Sequence, residues 1–245
     1  MEIPNYIFVE YSSDTKYLID AFDNYSTQFL TFIPRKLPEY SSHGVDHTLR
    51  IINKNINLFL GAWGILLNPD EGLLLYLAAW VHDIGCIISR EEHASASIKL
   101  MQKSKLLEPF PEKYVVCLEY IILAHRKNYS LIDVPDEYDN IRLRMICAIF
   151  RLMDACDITR QRCPSAVYDI IKLELGNESN EIWKAHMNIK DLIYHKPNII
   201  IYVDDINISK SLIDNLNCEI ITIKSTFEEN NLIAPTIIVD IDPKN

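Results

Sequence analysis

The stretch GLLLYLAAWVHDIG, residues 72–85, decides how the rest of the chain is read. From Gly72 to Val81 it offers no polar face, and a helix apolar all round is enclosed by other elements. His82-Asp83 follows at once. An unpartnered carboxylate at the buried end of such a helix costs several kcal/mol, and a metal ion would satisfy imidazole and carboxylate together. Upstream, Asn68-Pro69-Asp70-Glu71 supplies an N-cap Asn, a proline at the first helical position and a glutamate at the third. This is a capping box, so a central helix is predicted to open at Asn68 and end near Gly85.

Working outward, Leu18, Phe22, Tyr25 and Phe29 predict a helix over 14–33, capped by Ser13 or Asp14 and ending before Pro34. Val45, Leu49, Ile52, Ile56, Phe59 and Trp63, at steps of four and three, predict a long amphipathic helix over 44–66. Further helices are expected near 91–104, 112–127, 139–158 and 165–175, the last stopping at Gly176-Asn177. Then the texture changes. Residues 198–203 and 236–241 are rich in β-branched side chains, with a helix-like stretch at 209–231 between them, and 186–194 is a candidate for a further strand. The fold class expected is mainly α: a helical bundle over 1–180 with a small α+β element over 181–245 packed on it.

The 245 residues are 49% hydrophobic and 24% charged, the composition of a soluble globular chain. The apolar run at 72–81 is too short for a bilayer, and the first residues, MEIPNYIFVEYSS, carry neither a basic region nor a small-residue cleavage site. A cytoplasmic location is expected. The 6 cysteines form no C-x-x-C pair and read as reduced core thiols. A net charge of -10 argues against a broad nucleic-acid surface. Walker, dinucleotide-binding, G-x-S-x-G and H-E-x-x-H motifs are missing from the sequence.

The titratable residues can then be placed on these helices. His43 and His47 share a face opposite the Val45 and Ile52 stripe. His93 opens a helix among small residues, His125 holds a stripe position where leucine would do, and Asp154 and Asp157 face a core from one helix. Two carboxylates facing a core need cations: Arg151, Arg160 or Arg162, or a metal. His47, His82, Asp83, His93, His125 and Asp154 together form a mixed imidazole and carboxylate set, suited to Fe, Mn, Zn, Co or Ni more than to calcium. A site without thiolate is typical of catalysis.

The order His47, His82-Asp83, Asp154 resembles the H…HD…D signature of the HD superfamily of metal-dependent phosphohydrolases, over residues 38–165. His93 and His125 fall where two-metal members, including HD-GYP cyclic-dinucleotide phosphodiesterases, carry extra ligands. The SxHGxDH and RxxDxxDIT segments are also similar to HD-type domains fused to bacterial ATPase modules. Cys86 stands where a lysine often follows the HD motif, and Arg126-Lys127-Asn128 follows His125 in place of a second histidine and a GYP element.

The resemblance implies a helical HD-domain bundle with two divalent metal ions, Mg included among the candidates, in a central cleft. It implies His47, His82 and Asp154 on one metal, His93 and His125 on the second, and Asp83 bridging and orienting the nucleophilic water. Arg126, Lys127 and Arg162 are candidate phosphate ligands, with His43 and Asp157 as accessory groups. The function expected is hydrolysis of a nucleotide or other small phosphoester. A nuclease, a cyclic-nucleotide phosphodiesterase and a metal-binding sensor without turnover are the alternatives.

Overall fold

The central helix forms where the capping box predicts it. In the computed structural model, which describes residues 13–37 and 43–241, Asn68 accepts from the Glu71 backbone and Glu71 from that of Asn68. The first residues, read above for a leader, and Ser41 of the SxHGxDH segment lie outside the described residues, as do the side chains of Ser13, Asp14 and Leu18. Glu71 is fully buried because it also accepts from the Arg142 backbone and guanidinium, at 3.0 and 2.8 Å. One carboxylate thus ties the start of this helix to the start of another.

In chain order the helices are α1 (Ser13–Leu30), α2 (Ile33–Lys36), α3 (Val45–Arg50), α4 (Asn57–Trp63), the central α5 (Pro69–Val81), α6 (His93–Ser104), α7 (Glu112–Ala124), α8 (Leu143–Ala155), α9 (Ser165–Ile171) and α10 (Asn177–Asn188). Strands β1 (Ile189–His195) and β2 (Asn198–Val203) form an antiparallel hairpin. The long α11 (Ile206–Glu229) then crosses over to β3 (Thr236–Ile241), which pairs parallel to β2. The mainly α fold with a small C-terminal α+β element is borne out.

Several boundaries differ from the periodic reading, each for a local reason. Pro34 sits in the first turn of α2, where its missing N–H costs nothing. The long helix predicted over 44–66 is α3 and α4 joined by a wide π turn over Ile51–Ile56, and left-handed Gly64 (φ 67°) ends it. The wide turn rotates the buried face. His47, Thr48, Ile51 and Asn55 are buried while Val45 and Leu49 are only half-buried, so His47 faces inward on the better-buried side.

α8 starts at Leu143 because Asp139 and Asn140 take positive φ in a tight turn bridged by Tyr138 and Ile141. It ends at Ala155, short of Asp157, and α7 ends at Ala124, so His125 caps it. Gly176 opens α10 instead of closing the helix before it.

The apolar core runs without a break from the helices into the sheet. The Phe59 ring lies 5.7 Å from that of Tyr194 and 6.2 Å from that of Phe227, and Trp63 donates to the Ile233 carbonyl at 2.7 Å. The six cysteines are free thiols, only Cys218 exposed. Among the described residues no helix is long and apolar enough to cross a membrane.

One core carboxylate makes a pH prediction. Burial raises Asp23 to about 7, partly offset by the Tyr76 hydroxyl it accepts from at 2.5 Å. The folded state therefore holds a proton that the unfolded chain releases near 4, so stability falls as pH rises from about 4 to 7 and is flat above. The full shift is discounted because Asp23 is partly solvated, giving at most about 2–3 kcal/mol. Asp23→Asn is expected to flatten this slope in urea titrations at pH 4.5 and 7.5; an unaltered slope would assign it to other groups.

Candidate metal centre

Four helix ends and one helix face bring the predicted residues together. His47 lies in α3, His82 caps α5, His93 opens α6, His125 caps α7 and Asp154 lies in the last turn of α8. Asp83 follows His82 in the short turn after α5. The four imidazoles and Asp83 are buried, and Asp154 is partly so.

Each histidine has its Nδ1 against an oxygen, and that of His93 also lies 2.8 Å from the Arg126 guanidinium. The partners are Asp157 Oδ2 at 2.6 Å for His47, the Ala79 carbonyl at 3.0 Å for His82, the Arg90 carbonyl at 2.6 Å for His93 and the Ile122 carbonyl at 2.5 Å for His125. The Nδ1 atoms of His47, His82 and His125 therefore carry a proton, and the Nε2 atoms of all four rings turn inward. The Nε2 atoms of His47 and His82 are buried without a hydrogen-bond partner among the described residues. Those of His93 and His125 face one another at 2.8 Å. Orphaned and opposed ring nitrogens of this kind fit a divalent cation, which would take the place of any proton on them, and Nδ1–H held by carbonyl or carboxylate is how metal-bound imidazoles are oriented.

The ligand atoms form two groups that could each hold a metal ion, His47 with His82 and Asp154, and Asp83 with His93 and His125, each within 4.8 Å of one another. In the first, Asp154 Oδ1 lies 3.1 Å from His47 Nε2 and 3.8 Å from His82 Nε2. Asp83 spans both groups: Oδ2 is 3.3 Å from His82 Nε2 and 3.7 Å from His47 Nε2, and Oδ1 is 3.4 Å from His93 Nε2.

The field in the site is anionic. Burial works to lower His82, yet Asp83 and Asp154 raise it to about 9. Burial likewise opposes ionisation of Asp83 and Asp154, but the neighbouring imidazoles hold both well below the usual carboxylate range. His125 behaves oppositely: burial, then His82, depress it to about 3, so it is a neutral donor at physiological pH.

A family model, HD-CE, matches residues 37–229, most of the chain. The chain belongs to the HD-CE family. No curated protein matches it. The resemblance to the HD superfamily is thereby borne out, while the narrower likenesses to HD-GYP and ATPase-fused domains gain nothing. The HD-CE match also extends through α11, past the boundary expected at residue 180.

Around the ligands, the HD-CE domain adds supports that the sequence did not announce. Asp157 is reached by Arg50, whose Nε and Nη2 donate to its two oxygens at 2.8 and 2.9 Å. Of the three arginines considered for this carboxylate, Arg162 lies 3.9 Å from Asp157 Oδ2 and donates to its backbone carbonyl at 2.9 Å, while Arg151 and Arg160 bond elsewhere and the bidentate fork comes from Arg50. Nor does Asp157 share a face of α8 with Asp154, since the chain turns at Ala155 and swings it behind His47. Asp157→Asn is expected to weaken metal binding by about 10–100-fold, measured by competition with a chelator; wild-type affinity would remove Asp157 from this role.

Ser97 closes the HD turn, accepting from the Gly85 backbone at 2.8 Å and donating to the His82 carbonyl at 2.8 Å. Arg151, fully buried, donates to the carbonyls of Ala124, Arg126 and Tyr129 and to Thr222 Oγ1. It therefore fixes the end of α7, where His125 sits, and ties it to α11.

The centre opens into a cleft of about 440 Å³. Arg126, Lys127 and Arg162 all line it, as expected for phosphate partners, and so do His43 and the unanticipated Arg90. His43 stands outside α3 and accepts from Arg162 at 3.0 Å, its ring 5.8 Å from that of His47. Cys86, Glu91, Ala155 and Ile158 also line the cleft, and α11 forms one wall through Leu212, Asn215, Leu216 and Glu219. Amphipathic spacing marks α11 as a helix but says nothing of what stands opposite it.

Proposed function

We propose that this HD-CE domain is a metal-dependent phosphohydrolase, cleaving a phosphoester of a nucleotide or other small phosphorylated substrate. The observation that carries the reading is the set of four imidazoles held at Nδ1 from behind while their Nε2 atoms converge on Asp83 and Asp154. In this reading His47, His82 and Asp154 hold one divalent metal, His93 and His125 a second, and Asp83 bridges them and orients the water. A metal bound there would lower the pKa of its water toward about 7.

The chain's own groups do the rest. Arg90, Arg126 and Lys127 border the cleft and supply cations for phosphoryl oxygens. Arg162 is engaged with His43 and the Asp157 carbonyl, so it stiffens the rim and offers its charge without leaving those partners. A cleft of this size suits a small ester, and the net charge of -10 disfavours a long polyanion.

The test loads the purified protein with Mn, Fe, Co, Ni, Zn or Mg and presents nucleoside mono-, di- and triphosphates, cyclic nucleotides, p-nitrophenyl phosphate and a labelled oligonucleotide. Release of phosphate or nucleoside, lost on chelation and restored by metal, is expected. Folded, metal-loaded protein that hydrolyses none of these esters would overturn the reading.

A further inference from the structure

The α11 wall of the cleft carries a carboxyl where one is least expected. Glu219 lines the same cavity as Asp83, His93, His125 and Asp154, and an ionised carboxylate there would repel the phosphate that the surrounding arginines attract. Among the described residues no cation lies within ion-pair distance of it, although Arg151 and Lys127 act on it from further off. Arg151 directs its donors to carbonyls and to Thr222, and Glu219 Oε2 is buried without a hydrogen-bond partner among the described residues. Leu212, Leu216 and Ile158 line the same cleft, and apolar lining favours the neutral acid. Accordingly burial raises its proton affinity, though Arg151 and Lys127 act in the opposite sense.

Chemistry leaves a place for such a group. In-line displacement expels the leaving oxygen on the side away from the attacking water, and an alkoxide leaving near neutral pH needs a proton. The metal ligands come from α3 and α5–α8, whereas the lining residues of α11 include no ligand and no cation.

We propose that Glu219, contributed by the C-terminal element, is the general acid that protonates the leaving oxygen; this rests on the phosphohydrolase reading above. As the oxygen of a water that has released one proton to solvent bonds to phosphorus, the bond from phosphorus to the leaving oxygen breaks, and that bond's electron pair takes the Glu219 carboxyl proton. Alcohol and phosphate leave, and the Glu219 carboxylate regains a proton from solvent.

The experiment compares Glu219→Gln with wild type on a nucleoside 5′-monophosphate, whose leaving alcohol needs the proton, and on p-nitrophenyl phosphate, whose phenolate does not. A general acid is worth about 10²–10⁴-fold. The expected result is a loss on the nucleotide at least about 30-fold greater than on the nitrophenyl ester, with the alkaline limb of the kcat profile gone. Glu219→Asp, which keeps the acid, should recover part of the difference. Equal losses on both esters, or an unchanged alkaline limb, would overturn the proposal. Wild type inactive on both would instead sink the underlying phosphohydrolase reading.

Discussion

Asp83→Ala is expected to lower turnover by far more than the about 100-fold that loss of a supporting group behind a ligand costs, and to lower metal content at both groups. The reason is positional. Asp83 is the side chain whose two oxygens face different histidine groups, Oδ2 toward His82 and His47 and Oδ1 toward His93. Removing it takes from each group an anionic ligand, and leaves imidazoles that no longer share a bridge. The measurements are phosphate release and metal per protein by elemental analysis, with circular dichroism to show that the variant is folded. Retention of wild-type turnover by the folded variant would exclude Asp83 from the centre.

Gly85→Ala has the next largest effect, and its sign separates two explanations of this glycine. Gly85 does not use a positive φ, so flexibility alone would make alanine stabilising by about 0.4–1 kcal/mol. Space says otherwise. A Cβ there would lie 2.1 Å from the His93 carbonyl oxygen, 2.5 Å from the Ser97 nitrogen and 2.9 Å from the Ala96 Cβ. Two of these are helix backbone and cannot swing aside, so α6 must move bodily and carry His93 with it. Overpacking of this severity sits at or above the usual 1–3 kcal/mol. Denaturant titration should show a loss of about 3 kcal/mol or more, and metal analysis should show depletion of the group holding His93 and His125. A variant as stable as wild type would mean that the turn and α6 are not in contact.

Much of this was legible in the chain because the signals were local. Asn68, Pro69 and Glu71 are a cap and start α5 as written; the β-branched runs at 198–203 and 236–241 become β2 and β3 without adjustment. The six ligand candidates could be grouped because a buried imidazole or carboxylate on an apolar stripe needs a reason. What escaped was either a change of period or a long-range partner. The π turn at Ile51–Ile56 shifts which side of the helix is buried. α10 was hidden by polar residues after a glycine that opens it. The Arg50–Asp157 fork joins residues 107 apart, and no spacing rule reaches that far.

Arg151 also bears on how such a chain can change over evolution. Its guanidinium grips the peptide oxygens at the end of α7 with one edge and a threonine of α11 with the other. The wall that would select a leaving group and the loop that aims His125 are therefore set by the reach of a single side chain. A C-terminal element borrowed from a relative would reset that spacing unless it brought an acceptor to the same place. Substrate preference in this architecture is thus expected to drift by side-chain replacement along α11, at positions such as Asn215, and not by wholesale exchange of the element.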